Sequence, residues 1–297
     1  MPQPSRPPLS AQLDRQQLVC PRTREPLRRN GDHLESVTGA TRYPLVEGVP
    51  LLLSDPERTR QYLGLQGGGM VAEYTGAPRK RLRTAWERLA GRVGDMRTTT
   101  SDEAFRSLFA GLSEEALCIS VGGGPVRVHP ALVNVNLGLF PNVDVVADAY
   151  ELPYADEAVD AVHCEAVLEH LELPETAVRE MYRVLRPGGK LFAATPFLQA
   201  FHGYPDHYQN FTLTGHIRLF ERAGFTILSA GTCVGPTFAM RDLVANYFRK
   251  SFPGSAGKLA AALWSVVTLP FLYLDRFVNR QPRSADVAST TYLQAVK

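Results

Sequence analysis

Cysteine is scarce. Cys20, Cys118, Cys164 and Cys233 are the only four in 297 residues, and no two share a paired spacing. That excludes a disulfide framework and makes a reducing compartment the default. Net charge is also small, +2, too little to argue for a nucleic-acid partner. The opening Met1-Pro2-Gln3-Pro4-Ser5-Arg6-Pro7-Pro8 lacks the apolar stretch of a secretory signal. Residues 1–17 therefore read as a disordered lead-in, and a cytoplasmic location is expected. Long apolar runs are few. The charge-free stretch Leu259–Leu274 is shorter than the ~20 residues of a spanning helix and is interrupted by Pro270. It reads as a packed core helix, as a true span, or as an interfacial segment flanked by Arg249, Lys250, Lys258 and Arg276 in peripheral contact with the inner membrane face.

What remains is 44% hydrophobic and 21% charged, a composition able to bury a substantial core. The basic residues are locally dense: Arg79, Lys80, Arg81, Arg83, Arg88, Arg92 and Arg97 share one segment. This is either a solvated helix face or a contact for a phosphate-bearing or anionic-lipid partner.

The most informative stretch is Leu117-Cys118-Ile119-Ser120-Val121-Gly122-Gly123-Gly124-Pro125, an apolar strand running into three glycines. Such an ending lets a ligand approach the backbone closely. Apolar runs then recur at Leu132–Leu137, Val143–Val146, Ala158–Cys164 and Lys190–Ala194, with a further strand beginning at Thr226–Gly231. Helical patterns at Glu175–Leu185, stopped by Pro187-Gly188-Gly189, and at Thr214–Ala223, stopped by Gly224, lie between later strands. Alternation of this kind implies parallel crossovers and an α/β, doubly wound sheet, with ligands beyond the carboxyl ends of its strands. The glycine loop lacks the G-x-G-x-x-G spacing of a dinucleotide site, which argues against a nicotinamide-dependent oxidoreductase.

The glycine loop, Val143-Asp144-Val145-Val146-Ala147-Asp148-Ala149, Leu152-Pro153, Val159–Val162, Val167-Leu168-Glu169-His170 and Arg183-Val184-Leu185-Arg186-Pro187-Gly188-Gly189 come in a fixed order. That set resembles the class I, Rossmann-like S-adenosylmethionine-dependent methyltransferases (the type 11 group) over roughly residues 115–230. The resemblance implies a mostly parallel seven-stranded sheet and S-adenosyl-L-methionine as cofactor. It implies cofactor-binding roles for Gly122, Gly123, Gly124, Asp148, Ala149, Glu165 and His170. Where the family usually has an acid on both ribose hydroxyls, this chain has Asn136, whose amide offers one acceptor and one donor. Asp160 is expected to be structural.

Residues 18–53 resemble the short zinc-ribbon-like module found ahead of some such enzymes. Its Cys-Pro-x-Cys knuckle is reduced here to Cys20 and Thr23, so no metal is expected; Leu18, Leu27, Leu34, Tyr43, Val46 and Leu51 are its expected core. Residues 54–112 read as a linker with Gly67-Gly68-Gly69 and capping helices carrying Leu82, Trp86, Leu89 and Val93. Residues 113–235 form the core, and 236–297 a C-terminal helical extension with the last strand.

The acceptor side is expected in Thr195–Thr212, which gathers His202, Asp206, His207 and Tyr208 after the fifth strand. An imidazole suits removal of a hydroxyl proton near neutral pH. His202 and His207 both suit that role and Asp206 could hold either imidazole; His202 is the expected general base, with Asp206 and Tyr208 orienting substrate. The expected function is methyl transfer to a small-molecule, saccharide or lipid-linked acceptor rather than nucleic acid. Asn136 and the altered N-terminal module support the alternative, a non-catalytic methyltransferase-fold binding or scaffold protein.

Overall fold

The apolar runs become neighbouring strands of one sheet, and the order in which they lie decides where a ligand can sit. A computed structural model describes residues 4–55, 57, 97–124, 126–203 and 206–297. The expected helical positions Leu82, Trp86, Leu89 and Val93, the Gly67-Gly68-Gly69 linker and most of the basic cluster lie outside the described residues.

Chain order begins with α1 (Leu9–Asp14), β1 (Leu27–Asn30), β2 (His33–Ser36), β3 (Arg42–Val46) and β4 (Val49–Leu52). Helix α2 (Thr99–Ser107) leads into β5 (Cys118–Val121), β6 (Leu132–Asn136), β7 (Val145–Ala147) and β8 (Val159–Glu165). Then follow α3 (Pro174–Val184), β9 (Leu185–Pro196), α4 (Leu213–Arg222) and β10 (Thr226–Val234). The C-terminal part holds α5 (Pro236–Ser251), α6 (Gly254–Val267), α7 (Asp275–Val278) and β11 (Thr290–Val296).

The strands form one 11-stranded sheet in the order β1-β2-β3-β4-β7-β6-β5-β8-β9-β11-β10, so the expected seven-stranded core, β7 to β10 in that order, is extended by the four N-terminal strands. Strands β7 to β9 are mutually parallel, and β11 inserts antiparallel between β9 and β10. Strand β5 is buried along its whole length, as a central parallel strand must be with both faces covered. The chain moves outward from β5 through β6 to β7 and then returns to β8 on the other side of β5. That reversal is the switch point, and a crevice opens there beyond the strands' carboxyl ends.

Helix α3 shows how local sequence and packing agree. Pro174 occupies its first turn, where no donor is lost, and Ala177, Val178, Met181 and Val184 form its buried stripe. Thr212 caps α4 by accepting from Gly215 N at 3.1 Å, and Thr98 caps α2 by accepting from Ser101 N at 3.2 Å.

Three expectations need correction. Residues 4–17 are built into the fold: α1 buries Gln12, Arg6 pairs with Asp144, and Arg15 pairs with Glu115 at 2.9 Å. The polar, proline-rich composition hid these long-range partners. Residues 18–53 are not walled off from the core. β4 pairs parallel with β7, Leu51 opposite Val146, and Leu18, Leu27, Leu34 and Tyr43 share one apolar cluster with Val121 and Tyr154. Hairpin spacing reveals local pairing but not the sheet edge that the last strand meets. Finally, α3 stops at Val184 rather than at the Pro-Gly-Gly. Leu185 is already extended (φ −69°, ψ 135°) and opposite Val159, where β9 begins.

Helices α5 and α6 pack through small residues. A Cβ on Gly257 would lie 2.4 Å from the Phe252 carbonyl oxygen and 2.5 Å from that of Phe248. With Gly257 and Ala261 turned inward, Leu259, Leu263, Val266 and Val267 point outward and are each more than half exposed. Leu259–Leu274 is therefore not a packed core helix. Among the described residues no single helix is long and apolar enough to cross a membrane; α6 with Leu269–Val278 passes only as a pair bent by 46°.

Candidate active site

The cofactor side is built where β5, β6 and β7 end. Gly122 leaves β5 at φ +77°, donating to the Val135 carbonyl at 2.8 Å. A Cβ there would sit 2.2 Å from Val167 Cγ2. Thus the glycine admits a neighbouring side chain of its own protein, a demand additional to the ligand approach expected from sequence. Asn136, at the end of β6, ties this loop down. Its Nδ2 donates to the Gly122 and Gly123 carbonyls at 3.0 and 3.2 Å, and its Oδ1 accepts from Gly138 N at 3.0 Å. A carboxylate could not make the first two bonds.

Asp148 follows β7 and accepts from Tyr150 N at 3.0 Å. It lines a cleft of about 330 Å³ together with Leu53, Ser54, Asp55, Tyr150 and Glu151. The wall formed by Leu53, Ser54 and Asp55 escaped the sequence reading; its only signal was an acid just after the Leu51-Leu52-Leu53 run. Carboxylates at this rim suit a ligand rich in amino and hydroxyl donors and disfavour a phosphate.

Glu165, at the end of β8, is not among the residues lining that cleft. It pairs with Arg97 and lies 3.3 Å from His163 Nε2. Burial raises its pKa, but His163 and Arg97 outweigh that and hold it below the usual carboxylate value.

The segment expected to face the acceptor is organised around Glu169. Its side chain is fully buried in the short turn Leu168–His170; Oε2 accepts from the Thr195 hydroxyl at 3.2 Å, and Oε1 has no hydrogen-bond partner. The Glu169 carbonyl accepts from Tyr208 N at 2.8 Å, and the Leu171 carbonyl from Gln209 Nε2 at 3.0 Å, so the turn pins the loop that follows β9.

Three imidazoles meet there. The ring centroids of His170 and His202 are 5.3 Å apart, and those of His202 and His207 are 4.4 Å apart. His170 Nδ1 donates to the Asp206 carbonyl at 2.5 Å, so the backbone rather than the carboxylate of Asp206 sets this tautomer. His202 Nδ1 donates to the Ala200 carbonyl at 3.0 Å. Its Nε2 faces Glu169 Oε1 at 3.8 Å, within ion-pair reach, and the carboxylate raises its pKa above the ordinary histidine value. His207 uses both nitrogens: Nδ1 accepts from His202 N at 3.2 Å and Nε2 donates to Asn210 Oδ1 at 2.8 Å. It braces the loop and has no lone pair to offer. Tyr208 is exposed, its phenol pushed up in pKa by the adjacent Asp206 carboxylate.

Residues 126–193 match the family model described as a methyltransferase domain. Over that stretch the chain carries a methyltransferase domain of the class I, S-adenosylmethionine-dependent type. A demethylmenaquinone methyltransferase of Renibacterium salmoninarum is 38% identical over 33% of this chain and 37% of its own length. A ubiquinone/menaquinone biosynthesis C-methyltransferase of Klebsiella pneumoniae is 32% identical over 40% of this chain and 48% of its own. The chain thus spans less than half the length of these relatives. Among solved structures, phosphoethanolamine N-methyltransferase 2 of Haemonchus contortus aligns at 14% identity over 72% of this chain and 57% of that chain, with a TM-score of 0.43.

The structure gathers Gly122, Gly123, Gly124 and Asn136 at the carboxyl ends of β5 and β6, and Glu169, His170, His202 and His207 in a second cluster. Asp148 and Ala149 line or adjoin the acidic cleft. Glu165 is committed to Arg97. The N-terminal Cys20 sulfur meets the Tyr43 hydroxyl at 3.1 Å, Thr23 N at 3.3 Å and the Thr41 hydroxyl at 3.5 Å. Burial pushes this thiol up, but those contacts prevail and bring it to about 7.

Proposed function

We propose that this chain transfers the methyl group of S-adenosyl-L-methionine to a small-molecule, saccharide or lipid-linked acceptor bearing an ionisable hydroxyl. The observation that carries the reading is one of placement. A cleft rimmed by Asp55, Asp148 and Glu151 and a carboxylate–imidazole cluster stand at the carboxyl ends of the same parallel sheet. The cofactor supplies an electrophilic methyl group. The chain's own residues supply the rest: Asp148 and Ala149 contact the adenine, the Gly122–Gly124 loop gives the remainder room, and the Glu169–His170–His202 face receives the acceptor. Methyl transfer needs reacting atoms held about 3–3.5 Å apart and in line. The backbone bonds that lock the His170 and His202 rings serve that end.

The names of the two curated relatives make quinol-type acceptors the first to try. The test is incubation with methyl-labelled cofactor and separate pools of quinols, saccharides, extracted lipids, and RNA or DNA. Label in one of the small-molecule or lipid pools supports the reading. Label confined to nucleic acid, or in no pool, contradicts it.

A peripheral site at the inner membrane face fits the C-terminal extension. A soluble amphipathic helix turns its large apolar residues inward, whereas α6 turns Leu259, Leu263 and Val267 outward. Arg249, Lys250, Lys258 and Arg276 flank this surface, which suits anionic lipid headgroups. A lipid-linked acceptor would then be met at the surface that carries it.

A further inference from the structure

We propose that Glu169, His170 and His202 form a binding site for one divalent transition-metal ion at the acceptor end of the methyltransferase domain. Both imidazoles donate their Nδ1 protons to backbone carbonyls, which only accept. In the neutral rings the Nε2 lone pairs are therefore exposed. They lie 3.6 Å (His170) and 3.8 Å (His202) from the same oxygen, Glu169 Oε1. That oxygen is buried without a hydrogen-bond partner on a side chain that is 0% exposed. In that neutral form three ligand atoms converge within 4.8 Å of one another. An unpaired carboxylate oxygen in such a place is costly, and a cation at the centre removes the cost.

The chemistry of the set is selective. Two imidazoles and one carboxylate suit zinc, iron or manganese rather than calcium or magnesium, which prefer all-oxygen shells. An Nδ1–H bonded to a carbonyl is the usual support of a metal-bound imidazole, because it fixes ring orientation and tautomer. A tetrahedral ion with bonds near 2.1 Å spaces its ligands about 3.4 Å apart, close to the two separations from Glu169 Oε1, so the two imidazoles would close on the ion mainly toward each other. His202 is 40% exposed, which leaves the open side of the site toward the acceptor. An ion there would lower the pKa of an acceptor hydroxyl without using an imidazole as base. Glu169 and His170 are adjacent, but His202 comes from the loop beyond β9, so no metal spacing exists in the sequence.

The inference deepens the methyl-transfer reading but is tested apart from it. Chelator-stripped full-length protein is titrated with Co²⁺ and with Zn²⁺, following cobalt absorption and bound-metal stoichiometry. S-adenosylhomocysteine binding is measured calorimetrically on the same samples. One equivalent of metal is expected. Affinity should fall by more than the roughly 10–100-fold typical of losing an outer-shell partner in Glu169→Gln, which keeps the Thr195 bond, and in the surface variant His202→Asn. Absence of metal binding, or unchanged binding in both variants with native melting profiles, overturns the site. Loss of S-adenosylhomocysteine binding with metal binding intact would instead count against the methyl-transfer reading alone.

Discussion

The side-chain amide of Asn136 stands 3.0 Å from the Gly122 carbonyl and holds the glycine loop against β6. A bond of this kind needs a donor, which an ionised carboxylate lacks. Asn136→Asp therefore does not improve the site by restoring the more common acid. It places a negative charge against two carbonyl oxygens, and we expect a loss of about 1–3 kcal/mol in stability with weaker S-adenosylhomocysteine binding. Thermal melting and calorimetry check this. Tighter binding at an unchanged melting temperature would contradict it.

Gly122 and Val167 form a second testable pair. Gly122→Ala forces a left-handed backbone on alanine and drives its Cβ into Val167 Cγ2. The expected destabilisation is about 1–3 kcal/mol. Adding Val167→Ala should recover part of it, because one of the two penalties is then removed. A double-mutant cycle with no coupling would show that only backbone strain matters.

His216 is fully buried, its Nδ1 3.2 Å from the Thr291 hydroxyl, and burial pushes its pKa down to about 3. The unfolded chain regains an ordinary value near 6.5. Between those limits the unfolded state binds the extra proton, so stability is complete above about pH 6.5 and falls as pH drops toward 3. The slope from this group approaches 1.4 kcal/mol per pH unit. Denaturant melts of the native chain and of His216→Phe from pH 7 to 5 separate it: the variant's curve should be flatter by that amount. Equal slopes would contradict the assignment.

The outward face of α6 makes a prediction about lipid. Vesicles rich in anionic lipid should retain the protein in sedimentation, and retention should fall with salt as the basic flank is screened. Leu263→Asp, on the exposed side, should lower retention at least about tenfold without shifting the melting temperature, given the value of one buried aliphatic side chain. Retention that ignores this substitution would place the contact elsewhere.

Much of the sheet was legible because its strands are short apolar runs buried on both faces: Cys118–Val121 and Val145–Ala147 announce themselves. So did the crossover helix α3, whose stripe Ala177, Val178, Met181 and Val184 has a helical period. The failures share one cause, partners distant in sequence. Nothing local announced that Glu165, expected on the cofactor, also pairs with Arg97 from across the fold. β4 read as the end of a local hairpin module, yet it lies between β3 and β7 and joins that module to the main sheet. Likewise, the convergence of Glu169 and His202 depends on the path of the loop after β9, which no local pattern encodes. His207 carried the same chemical promise as His202 until its hydrogen bonds showed both nitrogens engaged.

The most direct test of the central claim is a crystal structure of the full chain grown with S-adenosylhomocysteine. The account predicts the nucleoside at the carboxyl edge of β5 to β7, its adenine beside Asp148 and Ala149 and its ribose within reach of the Asn136 loop. A fully ordered crystal with that crevice filled by the protein's own side chains and no nucleoside density would contradict it, leaving a methyltransferase fold kept for binding or assembly alone.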